Sequence, residues 1–310
     1  MYGADAVYAG TPDMSLRTQS KFSLSDIEEG IKFAHDNGKK IYLTLNLYIH
    51  NEEAAKLPQF TDTLRALKPD GVLIADPGVF YYLKEHAPEL NRFVSTQANI
   101  CSSQTVKFWQ SMGAKLCVLG REVTFAEMKQ IRNECPDILL ETFVHGAMCM
   151  SYSGRCLISN FLADRSANKG KCAHCCRWHY KLHLRAKDGT VKEVEINQDN
   201  KNAFDFLIEE DFRPGEYYEV VEDEHGGYLL NSKDMCLMPR LNDILGISMD
   251  SLKIEGRNKT EYYAGTVARA YRQAIDDYYK NPEEWDYTKY MSDLYTLQNR
   301  GYCLGFHDGK

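Results

Sequence analysis

Ten cysteines occur in 310 residues, and their distribution is the first chemical signal. Five of them, Cys149, Cys156, Cys172, Cys175 and Cys176, fall within 28 residues, and Cys236 follows alone. Cys101, Cys117, Cys135 and Cys303 are scattered singly, as small buried apolar residues are. A disulfide scaffold is short and secreted, and this chain reads as neither. Clustered thiols in a reducing compartment point instead to metal or redox chemistry. Thiolates suit zinc or iron–sulfur clusters. Cys172 and Cys175 have the spacing of a zinc knuckle, which keeps zinc as the runner-up. The wide, uneven steps between Cys149, Cys156 and Cys172 fit a four-thiolate [4Fe–4S] cluster better. A third reading is a nucleophilic cysteine beside His145 or His174.

A second set of polar residues ends a series of apolar runs: Asn46, Asp76, Gln97, Asn99, Arg121, Glu122, Glu141, His145, Lys253, Glu255 and Arg257. Arginine grips carboxylates bidentately, so Arg121 and Arg257 are candidate ligands for a carboxylate-bearing metabolite. Glu122 and Glu255 beside them could instead neutralise them as ion pairs. Glu141 and His145 lead into the cysteines and could do acid–base work or hold the loop. Asn46, Gln97, Asn99, Glu122, Lys253 and Glu255 complete the candidate substrate-binding set.

The elements that must position these groups are strands and helices in alternation. The runs are Asp5–Gly10, Lys40–Asn46, Gly71–Asp76, Arg92–Gln97, Leu116–Arg121, Ile138–His145 and Ser251–Gly256. Each is nearly continuous in apolar residues, as strands of a parallel sheet buried on both faces are. Amphipathic segments separate them. Ser25 with Glu28 reads as the capping box of the first helix and Gly38 as its stop, and Thr124 caps another. Helices are also expected over 261–279 and 288–298. Seven strands in β-then-α order imply a TIM-like (β/α) barrel lacking its first strand, with the eighth expected upstream of Met1. An open doubly wound sheet is the alternative. Residues 1–145 and 251–310 make the barrel. Residues 146–250 hold the cysteines and a small β-rich insertion, with hairpins around Asp188-Gly189 and His225-Gly226-Gly227.

Composition bounds the rest. Apolar residues are 44% and charged residues 26%, which excludes a disordered or fibrous chain. No run of about 18 apolar residues is present, so no membrane partner is expected. No signal peptide is visible, and a cytoplasmic location is expected. A net charge of −7 opposes nucleic-acid binding unless charge is segregated. The acidic run Glu219–Glu224 suggests segregation. The basic and aromatic candidates for RNA contact are Arg165, Lys169, Lys171, Arg177, Trp178, Tyr180, Lys181, Arg185 and Lys187.

The run from Glu141 through Phe143, Gly146, Ala147, Met148, Cys149, Gly154 and Cys156 to Ser159 resembles the signature of peptidase family U32, the collagenase-like proteases. DAVYAG (5–10), SLR (15–17), STQAN (95–99), GRE (120–122), NSKD (231–234), KIEGR (253–257) and Arg300–Phe306 also resemble the family, over nearly the whole chain. Cys172, Cys176, Arg177 and Trp178 are similar to the branch that hydroxylates tRNA. That resemblance implies a [4Fe–4S] cluster on Cys149, Cys156, Cys172 and Cys176, with Cys175 and Cys236 as alternates. It also implies tRNA as substrate, 5-hydroxyuridine at the wobble position as product, and prephenate as co-substrate. Competing classes are a metal-dependent peptidase and a non-catalytic iron–sulfur scaffold subunit. For hydrolysis, no HExxH or GxSxG motif is found.

Overall fold

The computed structural model describes residues 2–12, 15, 22–148, 151–152, 155–163, 172–173, 175–177, 183–185, 191–193, 207–209, 217–219, 221–223, 226–228, 233–256, 259–299 and 301–308. The chain divides into two compact units. One comprises residues 1–172 and 233–310, the other residues 173–232. The sequence reading drew the division at 145 and 250. Residues 233–250 belong to the larger unit because Met235, Leu237, Leu241 and Ile244 are buried in its core.

The larger unit alternates strands and helices as the apolar runs require: β1 (Ala6–Gly10), α1 (Leu24–Asp36), β2 (Lys40–Leu45), α2 (Leu57–Leu67), β3 (Gly71–Ile74), α3 (Pro77–His86), β4 (Arg92–Val94), α4 (Ser103–Ser111), β5 (Leu116–Val118), α5 (Phe125–Glu134) and β6 (Leu139–Ala147). After residues 173–232 come β7 (Asp234–Cys236), α6 (Leu241–Ile247), β8 (Ser251–Ile254), α7 (Glu261–Lys280), α8 (Thr288–Tyr295) and β9 (Tyr302–Cys303). Strands β1 to β6 pair in parallel in sequence order. Strand β8 pairs parallel to β6, β7 pairs antiparallel to β6, and β9 pairs parallel to β7. Among the described residues no pairing joins β1 to β8, so the sheet is not closed.

Side chains alternate between two cores with the period of a strand. Ile41, Leu43, Val72, Ile74, Val94, Cys117 and Leu140 face one side, where α1 to α5 bring Ile31, Leu64, Phe80, Trp109 and Met128. Tyr42, Leu73, Phe93, Leu116, Val118 and Phe143 face the other. Both faces are covered, which is why the runs read as continuous apolar stretches. The sheet is strongly curled. Strands β1 and β6 are five places apart, about 24 Å in a flat sheet, yet the Tyr8 hydroxyl lies 2.9 Å from both Glu141 carboxylate oxygens. A tyrosine and a glutamate cannot span the flat distance, so the Tyr8 face is concave.

Local details differ from the sequence reading in places. The α1 cap is Ser23, not Ser25; Asp26 completes the capping box. Thr124 caps α5 with Glu127, as its spacing predicts. Strands β7 and β9 were not foreseen. In the smaller unit, 183–185 pairs antiparallel with 191–193 and 221–223 with 226–228; the expected turn residues Asp188-Gly189 and His225 lie outside the described residues, and Gly226 and Gly227 lie within a strand. Strands 207–209 and 217–219 form a further antiparallel pair.

Gly146, at the end of β6, has φ +120°, and a Cβ there would lie 2.5 Å from the Glu255 carbonyl oxygen. Replacing Gly146 with Ala should cost about 1–3 kcal/mol from backbone conformation alone, with the contact adding to it. Urea denaturation checks this, and a loss below 0.5 kcal/mol, roughly a neutral surface change, would contradict the close approach.

Candidate active site

The concave face carries a buried polar centre. Glu141, on β6, is 1% exposed. The Tyr8 hydroxyl donates to both of its oxygens at 2.9 Å, the Ser251 hydroxyl donates at 2.6 Å, and the Lys253 ammonium at 3.0 Å. Tyr8 comes from β1, Ser251 and Lys253 from β8. Alternation along β8 puts positions 251 and 253 on one face, and pairing with β6 sets Ser251 opposite Glu141 and Lys253 opposite Phe143. The Lys253 nitrogen sits 3.4 Å from the Tyr8 ring centroid and 5.4 Å from that of Phe143. The Arg121 guanidinium lies 3.7 Å from the Phe143 centroid. Two cations thus share one aromatic ring, and one carboxylate balances Lys253. Burial, then the Glu141 charge and hydrogen bond, hold the Tyr8 phenol far above its ordinary pKa, so it remains a donor.

Glu141 and His145 do not share this centre. Positions four apart on a regular strand share a face, but the register of β6 with β8 shifts between Lys253 and Ile254. His145, fully buried, lies among the rings of Tyr263, Tyr271 and Tyr302 at 5.4–5.9 Å. Its Nδ1 is 3.5 Å from the Tyr271 hydroxyl, which donates to the Val144 carbonyl at 2.8 Å. Burial, with a smaller contribution from Lys259, pushes its pKa down to about 3.

The other candidates are spread over the strand ends. Asn46 is buried. Gln97 lies in a short turn, and its carbonyl accepts the Tyr48 hydroxyl, over whose ring the Arg155 guanidinium lies at 5.3 Å. Asn99 is left-handed, φ +56°, and donates to the Cys101 sulfur at 3.4 Å. The Glu122 carboxylate is tucked against Gly120. The Glu255 amide donates to the His145 carbonyl at 2.9 Å. Arg257 and Cys149 lie outside the described residues, although Met148, just before Cys149, is buried. Tyr8 and Ser251 were missed from sequence.

Among the cysteines, Cys117 and Cys135 are buried in the helix-side core. Burial pushes the Cys117 thiol up to about 12 and the Cys101 thiol up to about 11, values that keep them protonated. Cys236 is buried opposite His145, with its sulfur 3.8 Å from the Tyr271 hydroxyl. Cys156 and Cys172, in the larger unit, are half-buried and form no disulfide. In the smaller unit Cys175 is buried and Cys176 half-buried, on one 3₁₀ turn. Residues that are neighbours on such a turn point about 120° apart. Of the basic RNA-contact candidates, Arg165, Lys169, Lys171, Lys181 and Lys187, with Trp178 and Tyr180, lie outside the described residues.

Two outcomes follow from these environments. Lys253→Met should lower unfolding free energy by about 3–5 kcal/mol, because it strands the Glu141 charge. Adding Glu141→Gln should recover part of that loss, and strictly additive losses in the double-mutant cycle would contradict the pairing. His145 is depressed when folded, so the unfolded chain takes up its proton first. Its contribution is complete above about pH 6.5 and is lost as pH falls toward the folded value. The His145 ring resonance should therefore not titrate between about pH 5 and 8, and an NMR midpoint near 6.5 would refute its burial.

The family model described as "Peptidase family U32" matches residues 1–310. The tRNA hydroxylation protein P of Escherichia coli (strain K12) is 41% identical over 322 residues, 98% of this chain and 70% of that protein. The 23S rRNA 5-hydroxycytidine C2501 synthase of the same organism is 31% identical over 276 residues, 89% of this chain and 37% of that protein. A solved U32 peptidase structure covers 47% of this chain and 62% of its own, with 18% identity and a TM-score of 0.41. With the family match spanning every residue, and the signature of Glu141–Ser159 leading from the concave face into the cysteines, the chain belongs to peptidase family U32.

Proposed function

We propose that this protein is an RNA-modifying enzyme that hydroxylates uridine at carbon 5 in the wobble position of tRNA. The observation that carries the reading is the likeness, along 98% of the chain, to a protein named for tRNA hydroxylation. Likeness to an rRNA 5-hydroxycytidine synthase supports the same chemistry, since both products bear a hydroxyl on a pyrimidine ring. We read the curled sheet as a TIM-like (β/α) barrel with a gap between β1 and β8, its active site at the C-terminal strand ends. Among the described residues no helix is long and apolar enough to cross a membrane.

Hydroxylating a ring carbon needs an oxygen source and an electron path. A [4Fe–4S] cluster held by Cys149, Cys156, Cys172 and Cys176 would supply the electron path. The thiol chemistry fits this use: Cys156, Cys172 and Cys176 form no disulfide and are only half-buried, whereas Cys101 and Cys117 are held as thiols by burial. The chain's own residues do the rest. Arg121 and Lys253 bind the carboxylates of prephenate as co-substrate, beside the Phe143 ring that both cations face. A peptidase reading has the family's name in its favour, but Glu141 is engaged by Tyr8, Ser251 and Lys253 while His145 lies apart among three tyrosines.

Anaerobically purified protein should be brown, with about four irons per chain. Cys149→Ala and Cys156→Ala should each lose most of the iron, and Cys101→Ala should keep it. Colourless protein with one tightly held zinc would refute the cluster. In a strain lacking the gene, tRNA nucleoside analysis should show loss of 5-hydroxyuridine-derived nucleosides, and a normal profile would refute the substrate.

A further inference from the structure

Glu141 accepts from three side chains at once: Tyr8 on both oxygens, Ser251 on one and Lys253 on the other. The Tyr8 hydroxyl has one hydrogen, shared between both oxygens, so three donors at 2.6–3.0 Å engage a carboxylate with about four lone-pair sites. A carboxylate so engaged is held in place as the counter-charge to Lys253. The same contacts fix the geometry of the lysine. Its flexible stem is confined between the Glu141 oxygen at 3.0 Å and the Tyr8 ring at 3.4 Å. Tyr8 therefore touches Lys253 twice over, through its ring face and through the carboxylate that its hydroxyl holds. Tyr42 packs on Tyr8 at 5.2 Å and Phe93 on Tyr42 at 5.0 Å, so the Tyr8 ring is itself braced by β2 and β4.

We infer that Glu141 is a fixed counter-charge and that Tyr8 and Ser251 are positioning residues, which together aim the Lys253 ammonium as the group the concave face offers to an anionic co-substrate. The placement of the ammonium stands on the contacts alone. Its role toward a carboxylate rests on the function proposed above. It removes the acid–base role from Glu141 and gives two residues that touch no substrate a measurable effect on binding.

The test is competitive acetylation of native protein with acetic anhydride at fixed pH, read at the Lys253 peptide by mass spectrometry. The exposed Lys32 and Lys129 serve as internal references. In the wild type, Lys253 should react much more slowly than the references. Tyr8→Phe, Ser251→Ala and Glu141→Gln should each raise the Lys253 rate several-fold with the reference rates unchanged, and Glu141→Asp should restore part of the protection. Prephenate should slow Lys253 acetylation further in the wild type and less in Tyr8→Phe. Reference rates that rise together with Lys253 would show global loosening, and Tyr8→Phe, which removes a single hydroxyl, then decides. An unchanged Lys253 rate in Tyr8→Phe and Ser251→Ala overturns the inference. Loss of anchoring in the variants without any protection by prephenate leaves the positioning intact and overturns the co-substrate reading. In a turnover assay, Tyr8→Phe should raise KM for prephenate while kcat stays within a few-fold. A large fall in kcat for Glu141→Gln at unchanged KM would return Glu141 to acid–base work and overturn the inference.

Discussion

A carboxylate buried on the concave face of a parallel sheet needs donors, and the rest of the larger unit is arranged around that need. Isolated in an apolar core, Glu141 would be intolerable. It is tolerated because β1 and β8, which do not pair with each other, both send donors to it. The interaction therefore does two jobs. It links β1 and β8 to β6 across a gap that no backbone pairing spans among the described residues, and it fixes a lysine on the inner face. Aromatic rings complete the arrangement: Tyr8, Tyr42 and Phe93 form a braced series, and Phe143 lies under both Lys253 and Arg121. A cation over a ring in a water-poor site gains more than one at the surface.

The same strand serves two environments because its register shifts once. Below the irregularity, Glu141 and Phe143 belong to the inner face. Beyond it, His145 sits among Tyr263, Tyr271 and Tyr302, opposite Cys236 on β7. Gly146 then passes against the Glu255 backbone in a conformation that favours glycine, and the chain runs through buried Met148 into the cysteines. The first part of the family signature thus lies on β6, where Glu141, Phe143, His145 and Gly146 each have a separate physical reason.

Most of the strand order was legible in the sequence, because burial on both faces leaves continuous apolar runs with regular spacing. The α1 cap was misplaced by two residues because Ser23 and Ser25 are both good caps, and only the Asp26 contact separates them. Strands β7 and β9 are three and two residues long and pair non-locally, so they leave no periodic signal. Glu141, Lys253 and Arg121 were visible as polar residues in apolar runs, and the structure brings them around Phe143. Tyr8 was invisible as a site residue, since a tyrosine in a strand looks like core until the carboxylate across the sheet is known. That Glu141 and His145 fall in different environments was not legible, because a register shift cannot be read from spacing along one strand.

The central claim is that this fold carries hydroxylation chemistry on RNA, with a cationic inner face for a carboxylate co-substrate. The most direct measurement is a reaction of the purified, iron-loaded protein with unmodified tRNA, run in parallel with and without dioxygen as oxygen source and with and without prephenate, followed by mass spectrometry of the nucleosides. The account predicts 5-hydroxyuridine only when prephenate is present, and a Lys253→Arg protein that keeps its iron but needs more prephenate for the same yield. Iron-loaded wild type that forms no 5-hydroxyuridine under these conditions, while cleaving peptides, would contradict it.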